Sequence, residues 1–184
     1  TKELFPACKQ VLIDVFDHDR QPVEVVLGGA LGWGKTTLAS VGMAYDIYRM
    51  TCLVNPHAFY GLMAGSKIVF ACYSVSKDQA ADSAFSKIVS WIEACPYFID
   101  KCPRIGNHTT RAHFRGVPLL LITGSQEIHS IGKDMFAFML DEANFLTAKS
   151  GEDEQSRAYA IYTNAKDRLR SRFMDSDGEI PGKV

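Results

Sequence analysis

Eight residues, Gly29-Ala30-Leu31-Gly32-Trp33-Gly34-Lys35-Thr36, fit the pattern GxxxxGK[ST], and Thr37 follows them. Small residues in succession let backbone N–H groups turn inward around a phosphate. A helix opening at the lysine adds the partial positive charge of its N-terminus. Lys35 would then reach the β- and γ-phosphates as a point charge, and the Thr36 hydroxyl is an oxygen ligand of the kind Mg²⁺ takes. Residues 29–36, with Thr37, are the candidate nucleotide-binding segment. A second constellation is Met-Phe-Ala-Phe-Met-Leu-Asp-Glu at 135–142, an apolar run closing on two carboxylates. Asp141 suits the Mg²⁺ shell, and Glu142 suits orienting and polarising an attacking water. Together the two stretches point to ATP hydrolysis with Mg²⁺. Lys35 and Glu142 would be its catalytic residues, and Thr36 and Asp141 its metal ligands.

Other nucleotide chemistries fit less well. A GTPase would want Asp-x-x-Gly after the second stretch, but position 144 is Asn. Its guanine motif is approached only by Asn164-Ala165-Lys166-Asp167, with the lysine out of place. A small-molecule kinase would not need the Glu142 base. Secondary candidates are cationic: Lys166, Arg168, Arg170 and Arg172 crowd one helix, Arg168 and Arg172 sharing a face. Arg111 and Arg115 share a strand face at period two, open to DNA or to a neighbouring subunit. Ser125 and Gln126 are candidate phosphate sensors at a strand tip. The histidines at 18, 57, 108, 113 and 129 have no metal-like spacing.

These residues need a frame to hold them. The periodicity predicts helices over 6–17, 35–50, 77–94 and 154–172, and strands over 23–27, 67–74, 109–115, 117–123 and 135–140. Residues 95–108, with two prolines and a glycine, read as a loop. Strands alternating with helices, several of them apolar on both faces, predict one α/β domain with a mostly parallel sheet covered on both sides. A chain of 184 residues, 47% hydrophobic, can bury such a core, and its net charge of −1 argues against a histone-like DNA binder. The five cysteines at 8, 52, 72, 95 and 102 form no CxxC pair, so free thiols in a reducing compartment are expected. No apolar run long enough for a bilayer and no leader peptide is apparent, so a membrane role is not expected.

Taken together, the motifs resemble the ATPase motor of the large terminase subunit of tailed bacteriophages. "VVLGGALGWGKTTLA" is similar to that family's strand and Walker A loop, and "KIVFACYSVSKDQAADSAFSKI" to its second strand and following helix. "GSQEIHSIGKDMFAFMLDEANF" resembles its Walker B region, and "RLRSRF" the polar helix beyond it. The resemblance implies a P-loop NTPase of the additional-strand (ASCE) type. It implies ATP hydrolysis driving double-stranded DNA into a viral procapsid, in the host cell cytoplasm and transiently on the procapsid. The implied partners are the portal protein, a small terminase subunit and further copies of the chain in a homo-oligomeric ring. It gives Gln10 an adenine-contacting role and Lys133 a place in a region that can present a trans-acting cation. Leu31 stands where the family often has a loop arginine, so that charge must come from elsewhere. Bulky Trp33 takes a usually small position. The family's nuclease domain is not in these residues. Another ATP-driven nucleic-acid motor, helicase-like, and a non-hydrolysing nucleotide-binding module remain the alternatives.

Overall fold

The computed structural model describes residues 4–17, 22–30, 32–74, 76–124, 134–143 and 154–184. All six residues of strand β1 (Ile68–Tyr73) are buried. On one side it pairs in parallel with β4 (Leu119–Gly124), and on the other with β5 (Asp134–Leu140). Two short antiparallel strands, β2 (Arg104–Ile105) and β3 (Arg111–Phe114), extend the sheet beyond β4, giving the order β2-β3-β4-β1-β5. The sheet is therefore mixed, with two parallel and two antiparallel pairings, where a mostly parallel one was expected.

Strand β1 is apolar throughout because both its faces are covered. Ile68, Phe70 and Cys72 enter one core with Met43, Ile47 and Met50 of α2 (Lys35–Thr51) and with Ile88, Val89 and Ile92 of α5 (Ser86–Ala94). Val69, Ala71 and Tyr73 point the other way, onto Ile161 and Ala165 of α7 (Glu154–Phe173). Helix α7 buries every fourth residue from Ile161 to Phe173 against β5, the spacing that keeps one face of a helix turned to a sheet.

The remaining helices are α1 (Pro6–Phe16), α3 (Pro56–Tyr60), α4 (Lys77–Ala80) and α6 (Pro96–Lys101). The helix expected over 77–94 is interrupted, since a π-helical turn, Ala81–Phe85, separates α4 from α5. The expected loop 95–108 contains α6, with Pro96 at its first turn, and β2. Helix α3 carries only one turn of pattern, too little to register as periodicity.

Residues 23–27, expected as a strand, enter no ladder of the five-stranded sheet. Their backbone pairs with the last residue instead. The Val184 N–H donates to Val23 O at 2.7 Å, and the Val25 N–H donates to Val184 O at 3.0 Å. The preceding residue faces β5: the Phe138 N–H donates to Lys183 O at 2.9 Å, and Ala137 bridges Lys183 in parallel. Residues 183–184 thus lie between the glycine-loop approach and β5. Gly182 makes this possible, because a side-chain carbon there would stand 2.0 Å from Phe136 O. All five cysteines are free, and among the described residues no helix is long and apolar enough to cross a membrane.

Candidate nucleotide-binding site

The glycine loop emerges between residues 23–27 and the N-terminus of α2. Gly32 and Gly34 sit at φ +79° and +88°, where a side chain would be strained, and nothing lies within 4 Å of where one would project. Their requirement is conformational: the chain must reverse within a few residues to point backbone inward and then start α2. Lys35 Nζ donates to Gly29 O and Ala30 O, both at 2.8 Å, so the ammonium sits across the mouth of its own loop. Trp33 is half-exposed on the outside, and Thr37 is half-buried in the first turn of α2. Leu31 lies outside the described residues.

Strand β5 brings the second half of the site to the same point. The Asp141 N–H donates to Tyr73 O at 2.8 Å, fixing the residue at the tip of the sheet. Its carboxylate accepts the Thr36 hydroxyl at 3.0 and 3.2 Å, across 105 residues of sequence. A hydroxyl and a carboxylate converging beside an ammonium fit a hard cation bound with a polyphosphate. Thr36 and Asp141 would hold Mg²⁺, which supplies charge neutralisation for the phosphates. Glu142 follows in the left-handed region, φ 54°, with its own N–H donating to Asp141 Oδ1 at 3.1 Å. Its carboxylate Oε2 accepts a hydrogen bond from Gln79 Nε2 on α4.

Loop and carboxylates meet in one place, and a known family carries the same kind of domain. A family model described as "Uncharacterized protein MJ0330, N-terminal P-loop domain" matches residues 2–178. The chain belongs to that family. The match is to a P-loop domain and carries no indication of a terminase. Curated proteins and solved structures gave no match.

The P-loop domain has a cavity of about 480 Å³ running from Lys35, Thr36, Asp141 and Glu142 down between α1, α2 and residues 24–28. One wall is apolar, formed by Val11, Leu12, Val15 and Phe16 of α1. Gln10 is not among the lining residues; its Nε2 donates to Asp14 Oδ1 at 2.8 Å on the exposed side of the helix. At the rim, Glu24 Oε2 accepts from the Tyr162 hydroxyl at 2.6 Å and from Lys166 Nζ at 3.2 Å. The Tyr162 hydrogen bond and the Lys166 ammonium hold the Glu24 carboxyl below its ordinary value. Lys166, a candidate phosphate contact, therefore ties α7 to the loop approach.

The other cationic candidates scatter. Arg172 pairs with Asp134 at 3.3 Å, at the opposite end of β5 from Asp141. Arg168 is half-buried and Arg170 exposed on α7. Arg111 is exposed at the start of β3, opposite Ile122, on the sheet end that carries the loop. Arg115 has left the strand for the following turn, so it does not continue the face of Arg111. Ser125, Gln126, Lys133, Asn144, His18 and His129 lie outside the described residues. The residue that sequence reading missed at the site is Gln79. Its only local signal is Ser76-x-x-Gln79, a helix-capping pattern, and nothing in that pattern discloses which strand tip lies opposite.

Proposed function

We propose that this P-loop domain hydrolyses ATP with Mg²⁺, Lys35 and the backbone of residues 29–36 holding the phosphates and Glu142 activating water. The observation that carries the reading is the Thr36–Asp141 hydrogen bond, with the neighbouring Glu142 facing the same mouth. A loop that only cradled a phosphate would need neither carboxylate. The position of residues 183–184 between 23–25 and β5 supports the additional-strand type, in which a strand separates the two motif-bearing segments. Single-turnover assay of the chain with radiolabelled ATP, enzyme in excess, tests it: Mg²⁺-dependent release of phosphate is expected. Tight ATP binding without any release would leave the non-hydrolysing module.

The work done with that hydrolysis is proposed from the terminase resemblance of the quoted motifs: translocation of double-stranded DNA into a procapsid. The domain would act as a ring on the portal protein, with a small terminase subunit choosing the DNA, in the host cytoplasm. Protection of DNA from nuclease on adding ATP and procapsids is the expected result. Separation of duplex strands instead would identify a helicase-like motor.

A further inference from the structure

We propose that Gln79 is a positioning residue for ATP hydrolysis, holding the Glu142 carboxylate through its side-chain amide so that the base faces the nucleotide mouth. The inference rests on the reading of Glu142 as the base and adds the group that aims it.

The sheet sets up the contact. Tyr73 and Leu140 are in register at the ends of the parallel strands β1 and β5, so the segments leaving the two strands lie side by side. After β5 comes Asp141, then Glu142 in a left-handed conformation that is strained for a non-glycine residue and persists only where its surroundings hold it. After β1 comes Ser76, which starts α4. Its Oγ accepts the Gln79 N–H at 3.1 Å, and its carbonyl accepts the Ala80 N–H at 3.0 Å. Gln79 is thus fixed at its backbone at the third position of the helix.

The direction of its side chain is informative. In Ser-x-x-Gln the glutamine ordinarily turns back to the capping residue's own N–H, closing a capping box. Here Nε2 donates outward, to Glu142 Oε2. The π-helical turn Ala81–Phe85 begins two residues later, an irregularity of the kind that recurs where a helix serves a site. An amide donor on one carboxylate oxygen leaves the other oxygen as the acceptor for water. A neutral amide also adds no competing charge beside Glu142.

The experiment compares the wild-type chain with Q79A, Q79E, E142Q and the double variant Q79A/E142Q, measuring single-turnover rate, MgATP affinity and Tm. Loss of a partner that orients a metal ligand typically costs ~10–100-fold in activity, and a partner that aims a base is expected on the same scale. Q79A should therefore lose that much rate with affinity unchanged. Q79E separates positioning from helix capping. Glutamate serves the third position of a capping box as well as glutamine does, so a capping role leaves rate and Tm intact. Positioning predicts a folded Q79E protein with a loss at least as large as that of Q79A, since it sets a carboxylate against Glu142. In the E142Q background the Q79A change should have no further effect. Wild-type turnover in Q79E, or full additivity in the double variant, overturns the role of Gln79 while Glu142 stands. Wild-type turnover in E142Q overturns Glu142 as base, and the inference with it.

Discussion

Lys35 is held by two carbonyls of its own loop, and those contacts are local and exposed. Removing the side chain takes a cation from the phosphate position without opening the core, and surface changes of this kind stay within about 0.5 kcal/mol of wild-type stability. K35A should therefore abolish MgATP binding or turnover with an unchanged melting curve; normal hydrolysis would exclude the loop as the phosphate site. Glu142 differs in kind. E142Q keeps shape and hydrogen bonding but accepts no proton, so MgATP should still bind while turnover falls at least ~100-fold, read by equilibrium binding beside single-turnover rate. D141N should instead raise the Mg²⁺ concentration needed for half-maximal activity, because Asp141 is the charged partner of Thr36. These residues were legible in the sequence because each half of the site is contiguous: a loop in one stretch, two carboxylates in another. Gln79 was not, since it meets Glu142 only through the adjacency of β1 and β5. Gln10 shows the converse. The terminase resemblance gave it an adenine-contacting role, but the side chain points to Asp14, four residues along its own helix.

Elements that carry strong periodicity or unbroken apolar runs follow the sequence to within a residue or two: α1, α2, β1, β5 and α7. Elements defined by their partners do not. Residues 23–27 have strand composition, but their backbone partner is Val184, about 160 residues away. No local pattern carries that pairing. Helix α6 was hidden by prolines that read as breakers, although Pro96 occupies the first turn, where proline is tolerated. The placement of residues 183–184 gives a test at this scale. At Gly182 a methyl would meet Phe136 O at 2.0 Å and Leu169 Cδ1 at 2.4 Å. The leucine can turn aside, but the carbonyl belongs to β5 and cannot. Overpacking of this type costs about 1–3 kcal/mol or more, so G182A should lower Tm by at least roughly 3–10 °C for a chain of this size. It should also weaken MgATP binding, because Lys183 and Val184 line the cavity. A G182A protein with wild-type Tm would show that these residues do not pack between 23–25 and β5.

Stability of the whole molecule should carry a pH signature from Asp46, 2% exposed in the middle of α2. Burial lifts its carboxyl from 3.8 to about 6, against the pull of Lys183 and Arg49, while Tyr60 packs nearby with its own hydroxyl raised by burial. Through that interval the folded chain holds a proton that the unfolded chain has released. The Asp46 contribution to stability should therefore fall as pH rises from about 4 to past 6, by about 3 kcal/mol in all. D46N, neutral at every pH, should match wild type near pH 3, below the ordinary carboxylate value, and melt several degrees higher at pH 7.5; a pH-independent difference between them would assign the slope elsewhere. Assembly is the remaining whole-molecule property. Charge on a transferring phosphoryl group has to be stabilised, and a well-placed arginine is worth orders of magnitude in rate. Arg172 is paired with Asp134 at the far end of β5, Arg49 with Asp46, and Arg104 with Glu93. Arg111, by contrast, is exposed on β3 at the sheet end that carries the loop, where a neighbour in the proposed ring would meet it. Specific ATPase activity should then rise steeply with protein concentration as copies associate. R111A should flatten that rise with ATP affinity unchanged, and R172A should leave it in place. High activity that is constant across the concentrations where the chain is monomeric would mean that the stabilising charge lies within a single copy.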